Sequence, residues 1–131
     1  MTAIRWTTPA LFLLKNYNSM ILKTHEIRNV VQATILPNEA SLTNAEMFKE
    51  EMITLIANGA KVVIVNFEKV DYIDSSFLGS LVVALKYAMP RNVEIYLVSL
   101  KPDVKNLLTL IRMDKVFKIY KDYDHAMATL N

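Results

Sequence analysis

The fold of this chain is decided by the stretch Asp71-Tyr72-Ile73-Asp74-Ser75-Ser76-Phe77-Leu78-Gly79-Ser80-Leu81. An unbroken apolar run, residues 62–65, precedes it, and a helical spacing of apolar residues starts at Leu78. An acid and two hydroxyls therefore stand where a buried strand ends and a helix begins. Unpaired N–H groups and the positive end of the helix dipole favour an anionic group at that position. A serine there could carry a phosphate without disrupting the fold, which is typical of a switch more than of a catalyst.

Strand-like and helical patterns alternate outward from this stretch. Residues 21–28 and 30–36 are predicted strands joined by a hairpin near Asn29. Later strands are predicted over 61–67, 93–100 and 116–120. Helices are predicted from a cap at Thr43 or Asn44 to Gly59, over 74–89, from Pro102, and from a cap at Asp122 or Asp124. Strands that alternate with helices after one hairpin indicate a largely parallel sheet with right-handed crossovers.

The strand 61–67 is apolar without alternation, as expected for a strand that is covered on both faces. Helical stripes elsewhere supply side chains to pack on it. The predicted core consists of Val63, Val65, Ile95, Leu97 and Ile119 on the sheet, with Phe48, Met52, Leu81, Leu85, Leu107 and Ile111 on the helices.

Composition limits the classes of function. A chain of 131 residues with 53% hydrophobic and 21% charged residues is a single globular domain. It has no cysteine, which removes disulfides and thiolate sites and fits a reducing compartment. The net charge is +2 without a concentrated basic face, so direct nucleic-acid binding is not expected.

The first residues differ from the rest. Residues 1–19 are basic, acid-free and weakly periodic, so we expect an N-terminal arm or extension that precedes a domain over 20–131. Their longest apolar stretch, residues 10–14, is too short for a membrane span or a signal-peptide core. A cytoplasmic protein is therefore expected.

The residues that could carry catalysis do not form a recognisable constellation. Ser75 and Ser76 lack the flanking Gly-x-Ser-x-Gly elbow, and neither His25 nor His125 is placed in the sequence as a committed base. Two glycines, twenty residues apart, cannot make a phosphate cradle. The acidic clusters have no metal-ligand spacing. We therefore expect no catalytic residue, no metal and no cofactor.

Two interpretations of Asp74-Ser75-Ser76 remain. The three residues are either a redundant helix N-cap, contributing about 1 kcal/mol, or a regulated serine with its cap. Phe77 is either a staple into the core or an exposed contact for a partner. The residues themselves leave both questions open.

From about Met20 onward the chain resembles STAS domains, the family of bacterial anti-sigma factor antagonists. The motif 70–79 is similar to the family's Asp-Ser-Ser-Gly-Leu-Gly phosphorylation loop. A second block, from Val98-Ser99-Leu100-Lys101-Pro102 through residues 113–119 to Asp122 and Ala126, is similar to the family's ending in order and spacing. The resemblance covers roughly 110 residues.

The resemblance implies a STAS-like single domain with a mixed four- to five-stranded sheet and about four helices packed mainly on one face. It implies that Ser76 accepts a phosphate and that Asp74, Ser75, Phe77 and Ser41 contact a partner. That partner would be an anti-sigma factor protein kinase, sequestered by the unphosphorylated form, and a PP2C-type phosphatase would reset the switch. A homodimer is left open.

The chain departs from the family pattern at two places. Phe77 replaces the glycine that directly follows the phosphoacceptor, and the loop 37–41 lacks the family's aspartate. The alternative function is a non-phosphorylated STAS scaffold or a subunit of a sensory or lipid-transport complex.

Overall fold

The computed structural model describes residues 21–130, in which a five-stranded mixed sheet carries four helices. The arm predicted over residues 1–19 lies outside these described residues. The strands are β1 (Leu22–Ile27), β2 (Val30–Ile35), β3 (Glu39–Ala40), β4 (Val62–Asn66), β5 (Tyr72–Ile73), β6 (Glu94–Val98) and β7 (Lys118–Tyr120). The helices are α1 (Leu42–Ala57), α2 (Ser75–Ala88), α3 (Pro102–Leu110) and α4 (Tyr123–Ala128), with short 3₁₀ turns at Met89–Arg91 and Met113–Lys115. None of these helices is long and apolar enough to cross a membrane.

The sheet has the strand order β1-β2-β4-β6-β7. β1 and β2 are antiparallel, and every later neighbour is parallel. The predicted hairpin is confirmed: Arg28 and Asn29 both adopt the left-handed conformation, with φ of 52° and 69°. Two successive left-handed residues are typical of the two-residue turn whose twist matches that of the flanking strands.

Three helices cover one face of the sheet and one covers the other. α1, α2 and α3 pack on the face that includes Val63, Val65, Ile95 and Leu97. α4 packs through Ala126 on the opposite face. The predicted mixed sheet with helices mainly on one face is therefore confirmed.

The predicted core is confirmed except at its edge. Val65 and Leu97 are fully buried, as are Phe48 and Met52, whereas Ile119 is only partly buried because β7 is an edge strand. The prediction for Ile111 is wrong: this side chain is 40% exposed. α3 ends at Leu110, so Ile111 is the C-cap residue and lies beyond the helical turns whose Val104 and Leu108 are buried.

Glu51 on α1 holds the start of β1. Its Oε2 accepts a hydrogen bond from the Ile21 N–H at 2.8 Å, and its Oε1 accepts one from the Leu22 N–H at 3.1 Å. Burial raises the pKa of the Glu51 carboxyl above its usual 4.5, while the two backbone hydrogen bonds oppose that shift. The carboxylate is thus held where its charge is partly desolvated.

Candidate functional site

A two-stranded parallel ribbon brings the starts of α1 and α2 together. β3 precedes α1 and β5 precedes α2, and they pair with Glu39 opposite Tyr72 and Ala40 opposite Ile73. The Asp74 N–H extends the pairing by donating to the Ala40 carbonyl at 3.0 Å. Because each helix begins within two residues of its strand, the two helix N-termini lie side by side.

The Asp74 carboxylate binds both helix N-termini. Its Oδ1 accepts from the Phe77 N–H at 3.0 Å, which caps α2. Its Oδ2 accepts from the Leu42 N–H, the first residue of α1, at 2.9 Å. The negative charge therefore lies at the positive ends of two helix dipoles, where it is stabilising. The cap predicted at Asp74 is confirmed, but its second oxygen serves a helix more than thirty residues away in sequence.

Ser75 and Ser76 occupy the first turn of α2, directly after this cap. The Ser75 side chain is exposed and Ser76 is partly exposed. Among the hydrogen bonds within residues 21–130, none uses the N–H groups of Ser75 or Ser76. First-turn N–H groups have no partner inside their own helix, so they are free to face an anion. Both hydroxyls therefore lie beside helix N–H groups that make no hydrogen bond within residues 21–130.

Phe77 is a core residue, so its predicted direct contact with a partner is wrong. Its side chain has 0% exposure, and its ring lies 4.3 Å from that of Phe48 on α1, tilted by 34°. The third residue of α2 faces α1 because the two helices begin side by side. The sequence left open whether Phe77 packs into the core or is exposed to a partner, and in the structure it packs into the core.

Ser41 is the N-cap of α1, and the cap predicted at Thr43 or Asn44 is wrong by two or three residues. The Ser41 N–H donates to Asn44 Oδ1 at 2.9 Å, and the buried Asn44 amide donates to the Glu39 carbonyl at 2.7 Å. Asn44 thus fastens β3 to the first turn from inside the helix. Ser41 remains partly exposed beside the start of α2.

Two exposed apolar side chains that were not among the predicted site residues lie at the ribbon and at the start of α1. Leu42, which follows Ser41 in the sequence, is 73% exposed, and Tyr72, two residues before Asp74, is 55% exposed. A shallow groove of about 460 Å³ lies beside Tyr72 and is lined in part by Pro37, Asn38, Ser41 and Asp71. The alternation of exposed Tyr72 with buried Ile73 could have indicated this surface, whereas nothing in the sequence marks Leu42.

The acidic residues near the motif are each engaged separately. Asp71 forms an ion pair with Lys101 at the start of α3, while Glu68 accepts a hydrogen bond from the buried Asn66 amide at 2.9 Å. Asp74 binds the two helix ends described above. Within residues 21–130 no three histidine, cysteine or acidic side chains are grouped as metal ligands. What the geometry offers is a pair of hydroxyls on a fixed helix end, flanked by exposed apolar groups.

Comparison with known proteins places this site in a family. The family model for the STAS domain matches residues 25–126. A candidate anti-sigma factor antagonist from Thermotoga maritima is 26% identical, with a TM-score of 0.76 over 86% of this chain and 97% of that one. The Bacillus cell fate determinant SpoIIAA in its phosphorylated form is 17% identical, with a TM-score of 0.65 over 84% of this chain and 99% of that one. The murine anion transporter Slc26a9 is 18% identical, with a TM-score of 0.69 over 98% of this chain but 20% of the transporter.

Proposed function

The chain belongs to the STAS domain family, and on that premise we propose that it is an anti-sigma factor antagonist. The unphosphorylated form binds an anti-sigma factor that is also a protein kinase, and phosphorylation of Ser76 by that kinase releases it. A PP2C-type phosphatase returns the protein to its binding form. The protein acts in the cytoplasm as a binding module without catalysis of its own.

The observation that carries this proposal is the placement of Ser76. It is partly exposed in the first turn of α2, and within residues 21–130 the N–H groups of Ser75 and Ser76 make no hydrogen bond, whereas that of Phe77 donates to Asp74. A phosphate adds about −1.5 to −2 charge at neutral pH, and a helix N-terminus stabilises such a charge. The domain therefore stays folded when Ser76 is phosphorylated.

The effect of phosphorylation falls on the partner. Asp74 already places one negative charge at this helix end, and the phosphate adds to it. A partner surface that fits a neutral hydroxyl would have to desolvate an unpaired dianion on binding, which costs several kcal/mol. Exposed Leu42 and Tyr72 supply apolar area for that partner in the unphosphorylated state.

The test uses the histidine-kinase-like anti-sigma factors of the source organism, purified and incubated with ATP and the wild-type protein. Mass spectrometry then maps the phosphate. We expect it on Ser76 and not on Ser75, with Ser76→Ala resisting phosphorylation and retaining kinase binding. Ser76→Asp should weaken binding. Ser75→Ala is the matched control, because it removes a hydroxyl from the same turn and should still be phosphorylated.

A second function has one observation in its favour. Slc26a9 matches nearly the whole of this chain, and that transporter extends well beyond the matched part. In addition, Phe77 follows Ser76 where the family's phosphorylation loop has a glycine, so this loop departs from the phosphorylated pattern directly after the phosphoacceptor. If no phosphate appears on either serine, and wild type, Ser76→Ala and Ser76→Asp bind the same partners equally, the protein is a non-phosphorylated scaffold or complex subunit.

A further inference from the structure

We propose that Asp74 is a positioning residue that locks the first turn of α1 to the first turn of α2, so that phosphorylation of Ser76 is transmitted to Leu42. The inference rests on the proposed function for the identity of the partner. It adds that the partner-facing surface has two halves, Leu42 on α1 and Ser76 on α2, and that a single carboxylate holds them in register.

The hydrogen bonds at Asp74 make the two halves one unit. Leu42 is the first residue of α1, so its N–H has no acceptor within its own helix. Within residues 21–130 the acceptor recorded for it is Asp74 Oδ2, at 2.9 Å. The other oxygen is bound to the Phe77 N–H at 3.0 Å. A movement of the carboxylate therefore breaks or strains the bond at the Leu42 N–H, even though the β3–β5 ribbon and the bonds of Asn44 also hold the start of α1.

The two hydrogen bonds of the Asp74 carboxylate differ in how easily water can replace them. The bond to the Phe77 N–H is partly buried beneath a fully buried ring, whereas the bond to the Leu42 N–H is exposed to water. Water can replace Asp74 at an exposed N–H at low cost, but not at a buried one. The link to α1 is thus the one that yields first.

A phosphate on Ser76 would strain this link. Ser76 lies two residues after Asp74 in the same turn, and a dianion there repels the carboxylate while competing with it for the positive end of α2. The carboxylate keeps its buried bond to Phe77 and loses the exposed one to Leu42. The Leu42 N–H then loses its acceptor while the β3–β5 ribbon and Asn44 still hold the start of α1, and the highly exposed Leu42 is positioned less rigidly for the partner.

Asp74→Asn isolates the link. Asparagine is as good an N-cap as aspartate, so its amide oxygen can still accept from the Phe77 N–H. Its second terminal atom is an amide nitrogen, which donates and cannot accept from the Leu42 N–H. Asp122→Asn is the matched control: Asp122 Oδ1 caps α4 by accepting from the His125 N–H at 2.9 Å and also contacts the ring of His125, and within residues 21–130 its side chain makes no hydrogen bond to a second helix.

The first measurement is solvent exchange of the Leu42 amide by NMR, on the full chain without any partner. We expect Asp74→Asn to accelerate it on the order of tenfold, Ser76→Asp to change it in the same direction, and Asp122→Asn to leave it unchanged. An unchanged Leu42 amide in Asp74→Asn would overturn the proposal. Because no kinase is needed, this result stands whether or not the proposed function holds.

The second measurement is the affinity for the anti-sigma factor kinase that binds wild type. Asp74→Asn and Leu42→Ala should each weaken it about tenfold, and the double variant should be no weaker than the weaker single one, since both disable the same contact. Additive losses would contradict the lock. Failure of wild type itself to bind any such kinase would count against the proposed function and leave the amide result to decide the role of Asp74.

Discussion

Replacing Phe77 with alanine tests whether this residue holds the site from within. Its side chain is fully buried, so its removal forfeits about 1.5–3 kcal/mol of hydrophobic burial. Loss of the ring pair with Phe48, whose centroid is 4.3 Å away, adds about 0.5–1.5 kcal/mol. With the cavity that remains, the expected destabilisation is about 3–5 kcal/mol, a large share of the roughly 5–15 kcal/mol available to a domain.

Urea denaturation followed by circular dichroism measures this loss. With a slope of about 1–3 kcal/mol/M, the midpoint should fall by roughly 2 M. If the alanine variant is unfolded without urea, Phe77→Leu keeps most of the volume and should show a smaller fall of the midpoint in the same direction. Leu42→Ala is the control, because its side chain is 73% exposed and its removal should change stability by no more than about 0.5 kcal/mol. A decrease of less than about 1 kcal/mol in the free energy of unfolding of Phe77→Ala would refute the packing argument and indicate that Phe77 is exposed.

Three further predictions concern the buried residue Val65, the carboxyl group of Glu51 and residues 1–19. Val65→Ala should cost about 1–3 kcal/mol in urea unfolding, since Val65 is fully buried in the central strand β4, and a loss near zero would contradict that assignment. Glu51 has a raised pKa in the folded state, so protonation favours folding; the free energy of unfolding of wild type should fall relative to Glu51→Gln as pH rises from about 4.5 through that raised pKa, and parallel pH profiles would disprove it. A chain that begins at Met20 should fold with an unchanged circular dichroism spectrum, whereas an insoluble or unfolded product would make residues 1–19 integral to the domain.

The sequence was most informative where local chemistry decides the structure. The hairpin at Arg28-Asn29, the cap at Asp74 and the apolar run of β4 depend on neighbouring residues, and each was predicted correctly. These features need no knowledge of what packs against them, which is why single-sequence patterns are sufficient there.

The errors arose where distant parts of the chain meet. Asn44 has the chemistry of a cap, but it lies at the third position of α1, where its side chain binds the Ser41 N–H and the Glu39 carbonyl, and Ser41 is the N-cap. Phe77 is buried because α1 begins beside α2, which the β3–β5 ribbon determines and no local pattern reveals. The second bond of Asp74, to Leu42, likewise spans thirty-two residues. The periodicity of apolar residues within one element does not indicate contacts between residues so far apart in the sequence.

The single helix on the second face has a consequence for how the domain opens. α4 is six residues long, and it covers Val62, Ile64, Tyr96 and Val98 with Ala126 as its one fully buried side chain. Such a short segment with so little buried area has a low free energy of local unfolding compared with the three-helix face. We expect α4, held by Ala126 and the partly buried Tyr123 and Met127, to open before the three-helix face does. Opening of α4 would expose Val62, Ile64, Tyr96 and Val98 on the parallel strands, and we expect this surface to favour aggregation before the domain unfolds globally.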